Sequence, residues 1–160
     1  MSDKWSSLVP ELSDWNNGAG ISVESWIGCI GQFDHAIGYG TIFWPEFVVH
    51  DDCVLRYEID DDRYQNCLRT CSNDKTAIEA LFNHLHVANL FPNSKFQPTQ
   101  AVVVHLGSML KEMWSYKLRA EFPNRQFDVV FDHEDAVELL VVHDEPAGVP
   151  EDGFKSRVLV

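Results

Sequence analysis

The sequence predicts an α+β fold in which several helices, including a long helix at about 99–121, pack on a small antiparallel sheet. Apolar residues recur at the spacing of one helix face in three segments, 62–71, 76–90 and 101–121. β-branched and aromatic runs flank polar turns near 47–58 and 127–143, as in two hairpins. Because 45% of the 160 residues are hydrophobic, the chain can form one core, and we predict a single domain over 1–160.

The first twenty residues are predicted to be a lead-in segment with helical character. Its apolar residues share one helical face that Pro10 interrupts: Trp5, Leu8, Val9, Leu12 and Trp15. The Asn-Asn-Gly-Ala-Gly stretch at 16–20 is a helix breaker. Ser22 is a suitable N-cap for the next helix, because Glu24 then lies in the first turn, where the helix dipole favours negative charge.

Residues 32–45 fit two local structures. Phe33 and Ile37 have helical spacing, whereas Gly38-Tyr39-Gly40 favours a turn. Thr41–Trp44 are then predicted to form a strand or a buried extended segment that ends at the following proline.

Two hairpins are predicted to supply the sheet. The first turn is His50-Asp51-Asp52, and the second is His133-Glu134-Asp135. The turns join four strands, 47–49, 53–57, 127–132 and 136–143. Residues 144–160 are predicted to be a mobile acidic tail.

Three amphipathic helices are predicted to supply the core. The first follows a run of aspartates and carries a stripe of Tyr64, Cys67, Leu68 and Cys71. The second has an apolar face of Ile78, Leu81, Phe82, Leu85 and Ala88. The third begins at a Thr99 cap, and its apolar face is predicted to be Val102, Leu106, Met109, Met113, Tyr116 and Ala120. Gly107 within this helix is interpreted as a close small-residue contact.

The charge of the chain limits the classes of partner. There are 25 acidic against 12 basic residues, and the net charge is −13. Such a chain repels phosphate backbones and anionic lipid surfaces, so neither nucleic acid nor membrane is an expected partner. The N-terminus has no signal-peptide pattern, and no apolar run approaches the roughly 18–20 residues of a membrane span. A cytoplasmic protein with reduced cysteines is therefore expected.

No motif of high specificity for catalysis or cofactor binding is present. The chain has neither the Gly-x-Ser-x-Gly of a hydrolase nor a P-loop, and its Gly-x-Gly pairs lack the third glycine of a dinucleotide site, so no cofactor is expected. Carboxylates beside Cys53 disfavour a thiolate there, and Cys29 is expected to be buried among apolar neighbours. A small enzyme whose Asp, Glu and His residues converge only in the fold stays open as an alternative.

A metal site is a second alternative, because Cys67, Cys71, His84 and His86 lie within twenty residues. On the predicted helix over 76–90, His84 and His86 would point about 200° apart and would not share an ion. Cys67 and Cys71 have the i, i+4 spacing that could share one, but they also complete an apolar stripe. We therefore assign no metal ligand from the sequence.

Clusters of acidic residues are the strongest physical feature of the sequence. Nine acidic residues and no lysine or arginine occur between Asp128 and Asp152, and seven occur over 46–62 against Arg56 alone. A solvated surface explains them, and so does a face that docks a basic protein, as in immunity or inhibitor proteins. We predict the second, a non-catalytic protein-interaction module. Trp44 would be an anchor of its interface if exposed, whereas the aromatic segment around it is more typical of a buried strand end. The candidate partner-binding residues are Trp44, Glu46, His50, Asp51, Asp52, Asp132, His133, Glu134, Asp135 and Glu138.

Overall fold

The computed structural model describes residues 4–94, 96–133 and 138–144, and the last range contributes a strand and its register. The helices in these ranges are α1 (Lys4–Leu8), α2 (Glu11–Gly18), α3 (Val23–Ile30), α4 (Phe33–Phe43), α5 (Asp61–Thr70), α6 (Lys75–Asn83) and α7 (Gln100–Glu121). The strands are β1 (Val48–His50), β2 (Cys53–Leu55), β3 (Leu85–His86), β4 (Gln126–Phe131) and β5 (Glu138–Asp144). The α+β fold and its long helix are confirmed. The tail predicted over 144–160 lies outside the described residues beyond Asp144.

The strands of both predicted hairpins pair as expected, but the two pairs lie in separate sheets. β1 pairs with β2 alone, and β4 pairs antiparallel with β5 in a second sheet of order β3-β5-β4. β3 was not expected, because the helix predicted over 76–90 included its two residues. α6 ends instead at Asn83, and Leu85 and His86 pair with β5, while a 3-10 turn follows at Val87–Asn89.

α4 is one continuous helix, so the predicted strand at Thr41–Trp44 is wrong. The last turn of a helix leaves carbonyl groups without intrahelical partners. The indole Nε1 of Trp114 on α7 donates to one of them, the carbonyl of Ile42, at 3.0 Å. Ile42 and Phe43 pack on the core at the same place, so the end of α4 is stabilised from α7.

Side-chain caps begin four of the helices. In each case the side-chain oxygen accepts a hydrogen bond from the backbone N–H three residues later, and the caps are Ser22, Asp60, Asp74 and Thr99. The predicted caps Ser22 and Thr99 are thus confirmed. In α2, Asn16 and Asn17 adopt positive φ of 54° and 56°, as the predicted breaker requires.

The core has two clusters of buried residues. The larger one joins α7 to β4 and to the start of the first hairpin through Phe47, Val54, Val87, Val103, Leu110, Trp114, Leu118, Val129 and Phe131. The smaller one joins β2, α5 and α6 through Cys53, Leu55, Tyr64, Ile78 and Phe82. The predicted stripe of α5 faces this second cluster, with Cys67, Leu68 and Cys71 partly buried against it.

α7 buries a different face from the predicted one. Its buried residues are Val103, Gly107, Leu110, Trp114, Lys117 and Leu118. Tyr116, assigned to the core by the sequence, is 63% exposed. The buried face escaped detection because glycine and lysine do not register as apolar. Lys117 lies there because its ammonium group pairs with Glu121 at 2.6 Å while its stem is buried.

Gly107 marks the closest approach of α7 to the second sheet. A Cβ atom at this position would overlap three ring carbons of Phe131 on β4. The interpretation of Gly107 as a small-residue contact is therefore confirmed.

The same glycine-to-alanine change should have opposite effects in two helices. Gly107→Ala is expected to lower the free energy of unfolding by about 1–3 kcal/mol, because the ring of Phe131 must move. Gly38→Ala on α4 is the matched control, since a Cβ there meets nothing within 4 Å. It should raise the free energy of unfolding by about 0.5–1 kcal/mol through helix propensity. Urea titration followed by circular dichroism measures both, and a stabilising Gly107→Ala would contradict this packing.

Candidate functional site

The tip of the first hairpin is a tight two-residue turn. Asp51 and Asp52 have positive φ of 46° and 71°, and they lie between the paired residues His50 and Cys53. Positive φ at both central residues is characteristic of a type I′ turn, whose twist matches that of the strands. The predicted turn is confirmed, and its two carboxylates project from a defined backbone.

Both carboxylates of the tip contact other elements of the chain. The hydroxyl of Tyr64 donates to Asp51 Oδ2 at 3.0 Å, and the ammonium group of Lys75 lies 3.5 Å from Asp51 Oδ1. Arg125 pairs with the carboxylate of Asp52 and also donates to its carbonyl at 2.8 Å. These contacts attach the hairpin to α5, to α6 and to the start of β4. A role of the two aspartates in partner binding stays a prediction.

A buried thiol and phenol lie beneath this turn. Cys53 and Tyr64 are each 1% exposed, with Sγ and Oη 3.4 Å apart. Burial raises the pKa of the Cys53 thiol and also that of Tyr64. Cys53 is therefore held in the thiol form, which agrees with the expectation that it is no nucleophile. Cys29, expected to be buried, is exposed on α3.

His50 borders the same cluster. Its ring centroid lies 4.5 Å from that of Tyr64, and its Nε2 lies 3.5 Å from Asp61 Oδ1 at the start of α5. Glu46 is exposed between α4 and β1. These two candidate residues therefore lie on or beside the first hairpin, as the sequence placed them.

The second predicted cluster is described only in part. Asp132 and His133 follow β4 and are exposed, and the ring of His133 packs on Phe131 with centroids 4.6 Å apart. Glu134 and Asp135 lie outside the described residues. Glu138 begins β5, and the register pairs it with His86 of β3.

Trp44 is 44% exposed, so the expectation of a buried strand end is wrong here, and a cationic side chain, that of Lys117, lies against its ring. Its ring lies 6.1 Å from that of Tyr116, and the ammonium nitrogen of Lys117 lies 5.2 Å from its centroid. It borders a shallow groove of about 740 Å³ whose other lining residues are all on α7: Ser108, Lys111, Glu112, Met113, Ser115, Tyr116 and Arg119. The structure thus associates Trp44 with α7 and not with the aspartates of the hairpin tip.

Four large apolar side chains on α3 and α4 are exposed, and the sequence analysis missed them. Ile27 and Ile30 on α3 are 53% and 43% exposed, and Phe33 and Ile37 on α4 are 93% and 73% exposed. Neither helix contains a buried residue. We call these four side chains the α3–α4 apolar surface. Their i, i+3 and i, i+4 spacings resemble those of core residues, so periodicity alone does not distinguish this surface from a core face.

The charge pattern of the sequence sets the segment that carries this surface apart from the rest of the chain. No lysine or arginine occurs over residues 5–55, whereas seven acidic residues do. The acidic residues are Glu11, Asp14, Glu24, Asp34, Glu46, Asp51 and Asp52. The α3–α4 apolar surface therefore belongs to a segment that carries negative charge only.

His84 and His86 do not lie on a helix, and this overturns the argument against a shared ion. The segment after α6 is extended, and the two imidazole rings face each other with centroids 4.3 Å apart. Their Nε2 atoms are 2.9 Å apart. Across the part of the chain that the structure describes, no group of three or more His, Cys, Asp or Glu side chains converges in a metal-binding arrangement.

Comparison with family models, with curated proteins and with solved structures finds no match to this chain. Among the helices of the described ranges, none combines the length and apolar character needed to cross a bilayer.

Proposed function

We propose that this chain is a protein-interaction module that binds a basic partner protein through the α3–α4 apolar surface. The observation that carries the proposal is the exposure of four large apolar side chains, Ile27, Ile30, Phe33 and Ile37, on two helices that follow each other in the chain. Folded proteins that act as monomers rarely expose contiguous apolar patches, and patches of this kind commonly bind other proteins.

The shape of this surface suits a protein partner. Phe33, at the first position of α4, is 93% exposed and available as an aromatic anchor for a pocket. A Cβ at Gly28 or Gly38 would meet nothing within 4 Å, so no other part of the described chain lies close to the helices at these two positions. A partner could therefore pack against the helix backbones as well as the side chains.

Charge complementarity supports a basic partner. The segment that carries the surface has seven carboxylates and no cationic side chain over residues 5–55, and the whole chain has a net charge of −13. A partner with an apolar patch surrounded by lysine and arginine would be attracted at long range. A second copy of this chain would bring like charges together, and anionic lipid would be repelled.

The candidate residues of the hairpin contribute to this field. Asp51 and Asp52 are paired with Lys75 and Arg125, but their side chains remain 54% and 67% exposed. Exposed pairs are weak and leave room for exchange of partners. We assign these carboxylates to steering and the α3–α4 apolar surface to contact.

The test compares three forms of the full chain: wild type, Phe33→Asp and the matched control Phe96→Asp. Phe96 is 73% exposed in the loop before α7, so both substitutions replace an exposed phenylalanine by the same charge. Each form is immobilised and exposed to native cell extract at low and high salt. Wild type and Phe96→Asp should retain the same basic protein, and Phe33→Asp should lose it by about tenfold or more.

Two outcomes would overturn the proposal. The first is equal retention of that protein by Phe33→Asp and wild type while both give the same circular dichroism spectrum. The second is a wild-type dimer in light scattering that becomes a monomer in Phe33→Asp, because the surface would then bind a second copy of the chain. Retention that does not weaken with salt would contradict the electrostatic part, since exposed charges are screened within about 8–10 Å at physiological ionic strength.

A further inference from the structure

His84 and His86 have a geometry suited to chelation. His84 and His86 have extended backbone angles, with φ of −62° and −76° and ψ of 135° and 103°. Residues two apart in an extended chain project to the same side, so both imidazoles lie together. Their Nε2 atoms are 2.9 Å apart. In tetrahedral coordination with metal–nitrogen bonds of about 2.0–2.1 Å, two ligand nitrogens are about 3.3 Å apart.

The backbone around the two histidines is held by hydrogen bonds. The guanidinium group of Arg56 donates to the carbonyl of His84 at 3.3 Å, and His86 pairs with Glu138 across the β3–β5 ladder. The Nε2 atoms need to separate by about 0.4 Å to reach the tetrahedral distance, and rotation of the two side chains can supply this without a change in the backbone.

We propose that His84 and His86 bind one divalent transition-metal ion, of the Zn²⁺, Cu²⁺ or Ni²⁺ class, through their Nε2 atoms. Imidazole nitrogen is a preferred ligand for these ions and a poor one for Mg²⁺ or Ca²⁺. Water fills the remaining coordination positions, which is possible because His86 is exposed and His84 is half-buried. The net charge of −13 also favours a cation at the surface.

Metal binding replaces a hydrogen bond between the two rings. The separation of 2.9 Å suits a hydrogen bond in which one Nε2 carries the proton and the other Nε2 accepts it. A metal ion takes the lone pairs of both Nε2 atoms, so the donor ring moves its proton to Nδ1. The number of protons is unchanged, and both rings then have the same tautomer.

The test adds zinc chloride alone to the full chain without a purification tag and measures binding by isothermal titration calorimetry. Wild type should bind one Zn²⁺ per chain. His86→Gln and His84→Gln should each weaken binding by about tenfold or more. His35→Gln is the matched control, because His35 is exposed on α4 away from this strand, and it should change the affinity by less than about twofold.

Nitrogen-15 spectra of the histidine rings give a second measurement that does not depend on the variants. At one equivalent of zinc, the Nε2 resonances of two histidines should shift together, and the Nδ1 resonances of both rings should then lie in the protonated range. Zinc binding that is unchanged in both His84→Gln and His86→Gln would overturn the proposal. So would the absence of measurable binding to wild type at zinc concentrations up to about 100 µM.

Discussion

Trp114→Ala is expected to lower the free energy of unfolding by about 3–5 kcal/mol. Trp114 is 0% exposed and lies in the larger core cluster. The ring of Phe47 meets it edge-on at 5.9 Å, and the guanidinium carbon of Arg56 lies 5.4 Å from its centroid on another side. Removing the indole leaves a cavity bordered by the first hairpin, α4 and α7. Since total stabilities are typically about 5–15 kcal/mol, the variant should unfold at much lower urea concentration.

Two further substitutions separate the causes of this loss. Trp114→Phe keeps most of the ring but removes the donor to the carbonyl of Ile42, and it should cost about 1–3 kcal/mol. Trp5→Ala is the matched control, because Trp5 is 45% exposed on α1, and it should cost less than about 1 kcal/mol. Urea titration followed by far-ultraviolet circular dichroism measures all three. Equal losses in Trp5→Ala and Trp114→Ala would show that α7 does not pack around Trp114.

Helix α7 shows why the existence of a helix was predictable from the sequence, whereas the face that it buries was not. Thr99 and the sustained apolar period identify α7 from local chemistry alone. The buried face depends on what packs against it: Gly107 admits the ring of Phe131, and Lys117 is accepted because Glu121 pairs with it. A periodicity count ranks Met113 and Tyr116 above glycine and lysine, so it chose the neighbouring face.

The candidate site also contains some features that were predictable from the sequence and others that were not. The turn at Asp51 and Asp52 follows from local sequence, and the structure confirms it. The His84–His86 pair did not follow, because its geometry depends on where α6 ends, and that end is determined by contacts with β2 and β5. The exposure of Phe33 did not follow either, since the same apolar spacing serves a core and a binding surface.

Asn83→Asp is expected to lower the free energy of unfolding by about 3–5 kcal/mol near neutral pH, although it changes one group of the side chain. Asn83 is 0% exposed, and its side chain forms hydrogen bonds with the backbone along β2, as the backbone of a paired strand would. Its Nδ2 donates to the carbonyl of Val54 at 2.8 Å, and its Oδ1 accepts from the N–H of Arg56 at 2.8 Å. The carboxylate of Glu79, one turn earlier, accepts from the N–H of Val54 at 2.6 Å.

The substitution exchanges a donor for an acceptor where a donor is needed. An ionised carboxyl at position 83 would face the carbonyl of Val54 and would be buried one helical turn from Glu79, and both effects disfavour its charge. The pKa of the introduced group would therefore be higher in the folded chain than in the unfolded chain. The folded chain then binds more protons, so stability falls as the pH rises through that interval and recovers on acidification.

The pH dependence separates this mechanism from simple loss of packing. The difference in free energy of unfolding between wild type and Asn83→Asp should shrink as the pH is lowered from 7 toward 5, because a protonated carboxyl can again donate to Val54. Asn89→Asp is the matched control: Asn89 is exposed in the 3-10 turn, and its effect should stay within about 0.5 kcal/mol at both pH values. A deficit in Asn83→Asp that is independent of pH would mean that the amide donor does not support β2.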